Sequence, residues 1–175
     1  MNEETTSLGL RQATLALTPY DPTWTTVFDK EAALIRTALP DVAFEIDHIG
    51  STAVPGLPAK AILDIAMRAN EAVEDHIATV LVGLGYIDRG IRSGRLFIRL
   101  RNSDVRTHNL HLYRPEEPDY RDQIAFRDAL RADPELRDNY AELKQNLVDQ
   151  FGDAGRRNYT EGKTDFVRAV VNQAR

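Results

Sequence analysis

The chain has no cysteine among its 175 residues, and this absence excludes several kinds of protein. Without thiols there is no disulfide scaffold, no thiolate nucleophile, no cysteine-ligated zinc site and no iron–sulfur cluster. Any bound metal would have to be held by carboxylate and imidazole side chains. A chain of this length forms one domain, or one domain with a helical extension, and buries about two-thirds of its surface on folding.

Long apolar runs are also missing. No stretch approaches the roughly 18–20 apolar residues that a membrane-spanning helix needs, and residues 1–12 lack the basic and apolar segments of a signal peptide. The formal net charge is −5, from 22 Lys and Arg against 27 Asp and Glu. Such a charge does not draw the protein to DNA or to an anionic membrane. We therefore expect a cytoplasmic protein with neither a nucleic acid nor a membrane as partner.

Hydrophobic spacing predicts an α+β fold. Residues 1–12 are expected to form a loose tail, and residues 13–175 a single domain that is helical from residue 115 onward. A mixture of strands and helices followed by helices alone is typical of α+β proteins rather than of a doubly wound parallel sheet. The predicted helices cover residues 22–39, 73–84, 119–131, 134–151 and 156–172, and the predicted strands cover residues 14–18, 42–49, 61–67, 95–101 and 108–113.

The segment from His48 to Lys60 is a loop rich in glycine and proline between two apolar strands. Gly50 precedes the hydroxyl residues Ser51 and Thr52, so backbone amides and hydroxyl groups can approach an anion closely. Lys60 adds a positive charge at the end of the loop. The spacing is not that of a Walker A loop, because no Ser or Thr follows the lysine. A plain structural turn accounts for the same pattern, and both interpretations stay open at this point.

Asp64 is a carboxylate inside an apolar strand. Strand alternation places Ile62, Asp64 and Ala66 on one face. A buried lone carboxylate is costly unless it has a partner or a metal. Asp64 is therefore either neutralised by an arginine or backbone amides, or part of a functional site, and its position shortly after the Gly-Ser loop favours the site.

Several motifs are spread over nearly the whole chain from about Leu15. They are Tyr20-Asp-Pro-x-Trp24, His48-Ile-Gly-Ser-Thr-Ala-Val-Pro-Gly-Leu-x-Ala-Lys60, Asp64-Ile65, Thr107-His-Asn-Leu-His111, Ala125-Phe-Arg-Asp128 and Tyr159-Thr-Glu-Gly-Lys163. Together they resemble the GrpB family. The resemblance implies a nucleotidyltransferase-like fold, in which helices pack on a small mixed sheet and further helices extend the C-terminal part.

The resemblance also implies a chemistry. In the nucleotidyltransferase superfamily, a Gly-Ser motif leads into a strand with Asp-x-Asp, whose carboxylates hold Mg²⁺ or another divalent metal. Gly50-Ser51 matches the motif and Asp64 matches the first carboxylate, but Ala66 occupies the second position. Two hypotheses follow: a metal-dependent nucleotidyl or phosphoryl transferase, and a non-catalytic binding or partner module on the same scaffold.

Histidines offer further candidates for a metal or an acid–base site. His108 and His111 point to opposite faces of a regular strand, because their spacing is odd. We consider His48, Asp64 and His111 as metal ligands, and His48 with Asp64 as an acid–base pair. A core histidine and a hydrogen-bonded loop histidine would explain the pattern equally well.

Basic residues are the candidates for holding a phosphate. Most of the arginines between residues 89 and 106 are expected on a solvated face of the sheet. Arg95 is the exception, because it begins a strand at a position expected to face the Gly50 loop. Lys163 is either a lysine that reaches the surface along apolar neighbours or one aimed at a ligand. We predict that a phosphorylated small molecule, a nucleotide or a coenzyme-like compound, contacts Gly50, Ser51, Thr52, Lys60, Arg95, Arg127, Tyr159 and Lys163.

Overall fold

The computed structural model describes residues 7–174 as a mixed α+β fold, which confirms the predicted fold class. The strands are β1 (Leu10–Arg11), β2 (Phe44–Ile49), β3 (Leu63–Ala69), β4 (Ile87–Arg92), β5 (Gly94–Arg101) and β6 (Val105–Tyr113). The helices are α1 (Thr23–Ala38), α2 (Glu74–Gly83), α3 (Asp119–Ala132), α4 (Pro134–Phe151), α5 (Arg156–Gly162) and α6 (Thr164–Ala174). The sheet has the order β2-β3-β6-β5-β4, with β1 beside β6. β3 and β6 run parallel, and the other pairs are antiparallel.

Because side chains alternate along each strand, the two faces of the sheet contact different helices. One face carries Ile65 and Leu110 and is covered by α1 and α2, which together form the main apolar core. The opposite face carries Asp64, Asn109 and His111 and turns toward the C-terminal helices. The fold therefore places the predicted carboxylate between the sheet and the helical part of the chain.

The C-terminal helices form their own apolar core, which also holds the loop after β2. Val54 and Leu57 of this loop pack with side chains of α3, α4 and α6. The helix predicted over residues 156–172 is in fact two helices, because α5 ends at Gly162. A Cβ on Gly162 would lie 2.6 Å from Cδ2 of Leu147, so only glycine lets α5 approach α4 this closely. Lys163 lies at the junction of the two helices.

The N-terminal segment differs from the prediction of a loose tail. Residues 1–6 lie outside the described part of the chain. Leu8 is buried in the main core, the Gly9 amide donates to the carbonyl of Ala61 at 2.7 Å, and β1 pairs with β6. Residues 8–11 are thus held against the sheet, because apolar burial of Leu8 and strand pairing fix them.

Two strand predictions also need correction. The strand predicted over residues 14–18 is reduced to a single bridge between Thr18 and Ala59. β4 was not predicted, because its residues do not alternate between apolar and polar. Its pairing with β5 is also irregular between Asp88 and Ile91. Within residues 7–174, no helix combines the length and the apolar character that crossing a bilayer requires.

Candidate functional site

A cleft of about 620 Å³ lies between the open face of the sheet and the C-terminal helices. Clefts of roughly 300–1,000 Å³ are typical sites for small molecules. β3 and β6 form the floor, the loop after β2 forms one wall, and α3 to α6 contribute the other walls. Of the residues predicted from the sequence, the cleft is lined by Gly50, Ser51, Thr52, Lys60, Asp64, His111, Tyr159 and Lys163.

Asp64 is held between the loop and β6. Asn109 donates from Nδ2 to Oδ1 of Asp64 at 2.8 Å. Gly50 has a φ of +70°, and a Cβ at this position would lie 2.8 Å from Oδ2 of Asp64. Glycine is therefore required both for the backbone conformation and for the close approach of the loop. The hydrogen-bond partner of Asp64 is a neutral amide, and the nearby charges of Lys60 and Lys163 oppose its negative charge.

Three lysines gather beside this loop. The Nζ atoms of Lys60 and Lys163 lie 5.5 and 4.4 Å from the ring centroid of Tyr159, and Nζ of Lys144 lies 4.9 Å from the ring centroid of Tyr140. Within residues 7–174, no carboxylate comes within ion-pair distance of any of the three. The whole chain has only four lysines, so three of them lie at one site.

Lys144 was not predicted as a site residue. It is only 1% exposed, and its ammonium group donates to Oγ of Ser51 at 3.0 Å and to the carbonyl of Pro58. A lysine has donors only, so Ser51 accepts this bond and keeps its own hydroxyl proton to donate. One signal could have found it: Lys144 follows Tyr140 by four residues and precedes Leu147 by three, which places it on the apolar stripe of α4.

The environment of these lysines disfavours positive charge. Burial, together with the smaller effect of the charges of Lys163 and Lys60, lowers the pKa of Lys144 to about 7. Burial also lowers the pKa of Lys163 to about 8, with Lys60 adding repulsion and Asp64 opposing it. The pKa of Lys60 is lowered as well, mainly by burial. A bound anion would relieve this repulsion, which is the electrostatic property expected of an anion site.

His48 does not share the cleft with Asp64. It pairs in register with Ile65, on the face covered by α1, and its ring stacks on Phe28 at 4.9 Å. Its Nε2 atom lies 2.9 Å from Oγ1 of Thr52, and burial lowers the pKa of His48 to about 3. The predicted acid–base pair and the predicted metal site of His48 and Asp64 are therefore not formed, and the Thr52 hydroxyl is already bonded behind the loop.

Arg95 also lies on the opposite face of the sheet from the loop. Its guanidinium group bonds to Asp88 at 2.7 Å and to Asp75 at 3.1 Å. Arg99 bonds to Glu31 of α1 at 2.8 Å. The arginine-bearing face of β5 is thus covered by α1 and α2 instead of being solvated, and the prediction that Arg95 faces the Gly50 loop does not hold.

Arg127 supports the loop from outside the cleft. Its Nη1 atom donates to Oδ1 of Asp47 at 3.1 Å and to the carbonyl of His48 at 3.0 Å. The histidines of β6 do separate as predicted, since His111 lines the cleft and His108 is buried in contact with Tyr86. Further polar side chains that were not predicted line the cleft: Ser93, Asn109, Asp119, Asp122, Gln123, Thr160, Thr164, Arg168 and Asn172.

The donor groups present do not suit a divalent cation. Across residues 7–174, no three His, Asp or Glu side chains come together in a way that would hold a metal ion. Ala66, at the position of the second carboxylate in the superfamily motif, is fully buried against Tyr113 and Tyr120. Asp64 therefore has no second carboxylate beside it on β3, and the residues present do not fit the metal site of that motif.

Comparison with known proteins shows the family. The family model described as GrpB protein matches residues 14–173. A UPF0157 protein of Halalkalibacterium halodurans is 32% identical over 173 residues, which cover 93% of this chain and 83% of that protein. The glutamate-rich protein GrpB of Alkalihalophilus pseudofirmus is 29% identical over 173 residues, with coverage of 95% and 99%. The crystal structure of the conserved protein GrpB from Enterococcus faecalis aligns with a TM-score of 0.80 and 28% identity, over 91% of this chain and 96% of that chain. The sequence motifs, the fold and these relatives agree, and the chain belongs to the GrpB family.

Proposed function

We propose that the protein binds a phosphorylated small molecule, a nucleotide or a coenzyme-like compound, in the cleft between the sheet and the C-terminal helices. One observation carries the proposal: Lys60, Lys144 and Lys163 converge beside the loop without an ion-pair partner among the described residues. Buried cations are normally paired, because an isolated buried charge is costly. An anionic ligand supplies the partner that the described residues do not.

The loop adds the hydrogen-bond donor that such a ligand needs. Ser51 lines the cleft, accepts from Lys144 and hydrogen-bonds to Tyr140. A phosphate oxygen that takes the place of Tyr140 would receive its hydroxyl proton. The ammonium groups of Lys60 and Lys163 both lie close to the Tyr159 ring in the same region. Charge-assisted bonds of this kind are the strong ones in phosphate recognition.

The remainder of the cleft suits the non-phosphate part of the ligand. Asn109, His111 and Gln123 offer amide and imidazole groups, while Phe126 and Tyr140 provide aromatic surface. Sites for small molecules typically combine apolar walls with a few polar groups that fix orientation. The volume and this lining favour a ligand of nucleotide size.

A binding role has more support than metal-dependent nucleotidyl transfer. The carboxylate pair that would hold the metal in that reaction is reduced to Asp64, and Ala66 is packed in an apolar cluster. Catalysis by transfer of a nucleotidyl or phosphoryl group is therefore a second candidate, favoured by the position of Asp64 beside Gly50 and Ser51.

A thermal-shift screen with ATP, coenzyme A and inorganic pyrophosphate tests the binding proposal. At about 100 times its dissociation constant, a bound compound should raise the melting temperature by about 5–10 °C. The rise should be much smaller in Lys163→Met and unchanged in Lys30→Met, which alters an exposed lysine of α1. The proposal fails if none of these compounds shifts the melting temperature, or if Lys163→Met responds like the wild-type protein.

A further inference from the structure

We infer that the cleft neutralises its phosphorylated ligand with lysine ammonium groups in place of a divalent cation. The inference rests on the proposed function, because it concerns how the same cleft holds the same ligand.

The surroundings of Asp64 offer few ligands to a metal. Oδ1 of Asp64 accepts from Asn109 at 2.8 Å, and Oδ2 faces Gly50, where even a Cβ would approach to 2.8 Å. Ala66 shares the face of Asp64, yet it is fully buried against Tyr113 and Tyr120. A carboxylate two residues after Asp64 would have to displace this apolar packing. Position 66 therefore adds no second carboxylate beside Asp64, whereas a hard divalent cation prefers several oxygen ligands. Asp119 and Asp122 of α3 also line the cleft, but among residues 7–174 they form no metal-binding cluster with a third His, Asp or Glu.

The lysines supply the charge that a cation would otherwise bring. Lys60 and Lys163 flank Tyr159, and the charge of Asp64 acts on both of them. Lys144 donates a hydrogen bond to Ser51, and the charges of both other lysines repel its ammonium group. Lys60 and Lys163 line the cleft together with Asp64, and a bound anion would favour the protonated form of all three lysines.

The choice of lysine over arginine fits this role. The chain has 22 basic residues, and arginine is used nearly everywhere else. Lysine places a compact charge on a flexible stem, which suits a point contact with a phosphate oxygen, whereas arginine suits planar bidentate pairs. Arg95 and Arg127 instead use their several N–H groups to hold carboxylates of the protein.

Calorimetric titration with inorganic pyrophosphate, once with EDTA and once with Mg²⁺, tests the inference on the full chain. We expect binding in EDTA that Mg²⁺ does not tighten. Lys163→Met, which keeps the apolar stem and removes the charge, should weaken binding at least about tenfold. Lys30→Met is the matched control and should bind like the wild-type protein. A comparison of melting temperatures shows whether each variant is folded.

Asp64→Asn separates the two mechanisms most sharply. If Asp64 is a metal ligand, this variant loses binding. If the lysines act without a metal, removing the negative charge beside them leaves binding unchanged or makes it tighter. Binding that requires Mg²⁺, or that is lost in Asp64→Asn, would overturn the inference and leave the proposed function standing. Failure of pyrophosphate to bind in either buffer would contradict the proposed phosphate site as well.

Discussion

At the scale of single residues, Gly50 determines how closely the loop can approach Asp64. Its φ of +70° is in the left-handed region that favours glycine, and a Cβ would collide with Oδ2 of Asp64 at 2.8 Å. We expect Gly50→Ala to lower the free energy of unfolding by about 1–3 kcal/mol, because it adds backbone strain and a steric clash. Urea denaturation measures this loss.

Gly90 provides a matched control for that substitution. It has a φ of +73°, and a Cβ there would meet nothing within 4 Å. Gly90→Ala should therefore add backbone strain without a steric clash, and it should lower the free energy of unfolding by less than Gly50→Ala does. If both variants lower the free energy of unfolding equally, the contact with Asp64 does not contribute to the loss of stability in Gly50→Ala.

Lys144 makes the stability of the protein depend on pH. Its pKa is about 7 in the folded chain, against an ordinary value of 10.5. Between these values the unfolded chain binds a proton that the folded chain does not, so the free energy of unfolding rises with pH. We expect Lys144→Met to reduce this slope between pH 7 and 9 by up to about 1.4 kcal/mol per pH unit.

The measurement for Lys144 is a series of urea denaturation curves at several pH values. Lys30→Met, on exposed α1 surface, should leave the slope unchanged. The comparison uses the slope of the free energy of unfolding against pH. It does not use the absolute stability, because Lys144→Met also loses the hydrogen bonds to Ser51 and Pro58. A slope that is the same in Lys144→Met and in the wild-type protein would contradict the account of a buried, weakly basic lysine.

At the scale of secondary-structure elements, α3 holds the loop in place. Arg127 donates to the carbonyl of His48, and Arg131 donates from Nε to the carbonyl of Ala53 at 2.8 Å. We expect Arg127→Met to lower the free energy of unfolding by about 1–3 kcal/mol, because charge-assisted bonds to a partly buried group are lost. Hydrogen exchange of the loop amides should also become faster, since the loop loses its anchor.

Arg121 is the control on the same helix. It is exposed, so Arg121→Met should change stability by no more than about 0.5 kcal/mol. Loop amides that exchange at the wild-type rate in Arg127→Met would show that α3 does not restrain the loop.

The sequence predicts which helices and strands carry the site. It predicts less well which side chains of these elements contact each other. Apolar spacing correctly predicts four of the helices and most strands, but it joins α5 and α6 into one helix. The glycines of the loop correctly indicate an irregular segment between two strands. The position of His48 could not be derived, because only the register that pairs Ile49 with Asp64 shows that His48 and Asp64 lie on opposite faces. β1 could not be derived either, because two residues are too few to show alternation.

At the scale of the whole molecule, the net charge of −5 conceals a separation of charge. Both arginines with a predicted role are paired with acids from other elements, Arg95 with Asp88 and Arg127 with Asp47. The lysines of the cleft have no such partner among the described residues. Pairing between elements depends on how the elements pack, so the sequence alone could not separate the arginines that serve the fold from the lysines that face a ligand.

The position of a bound anion tests the central claim most directly. Tungstate resembles phosphate, and its tungsten atom can be located by anomalous scattering in a crystal of the protein. We expect a tungstate peak in the cleft, within hydrogen-bonding distance of Ser51 Oγ and Lys163 Nζ, and no such peak in Lys163→Met. A wild-type crystal with tungstate only outside the cleft, or with none in it, would contradict the assignment of this cleft as a phosphate site.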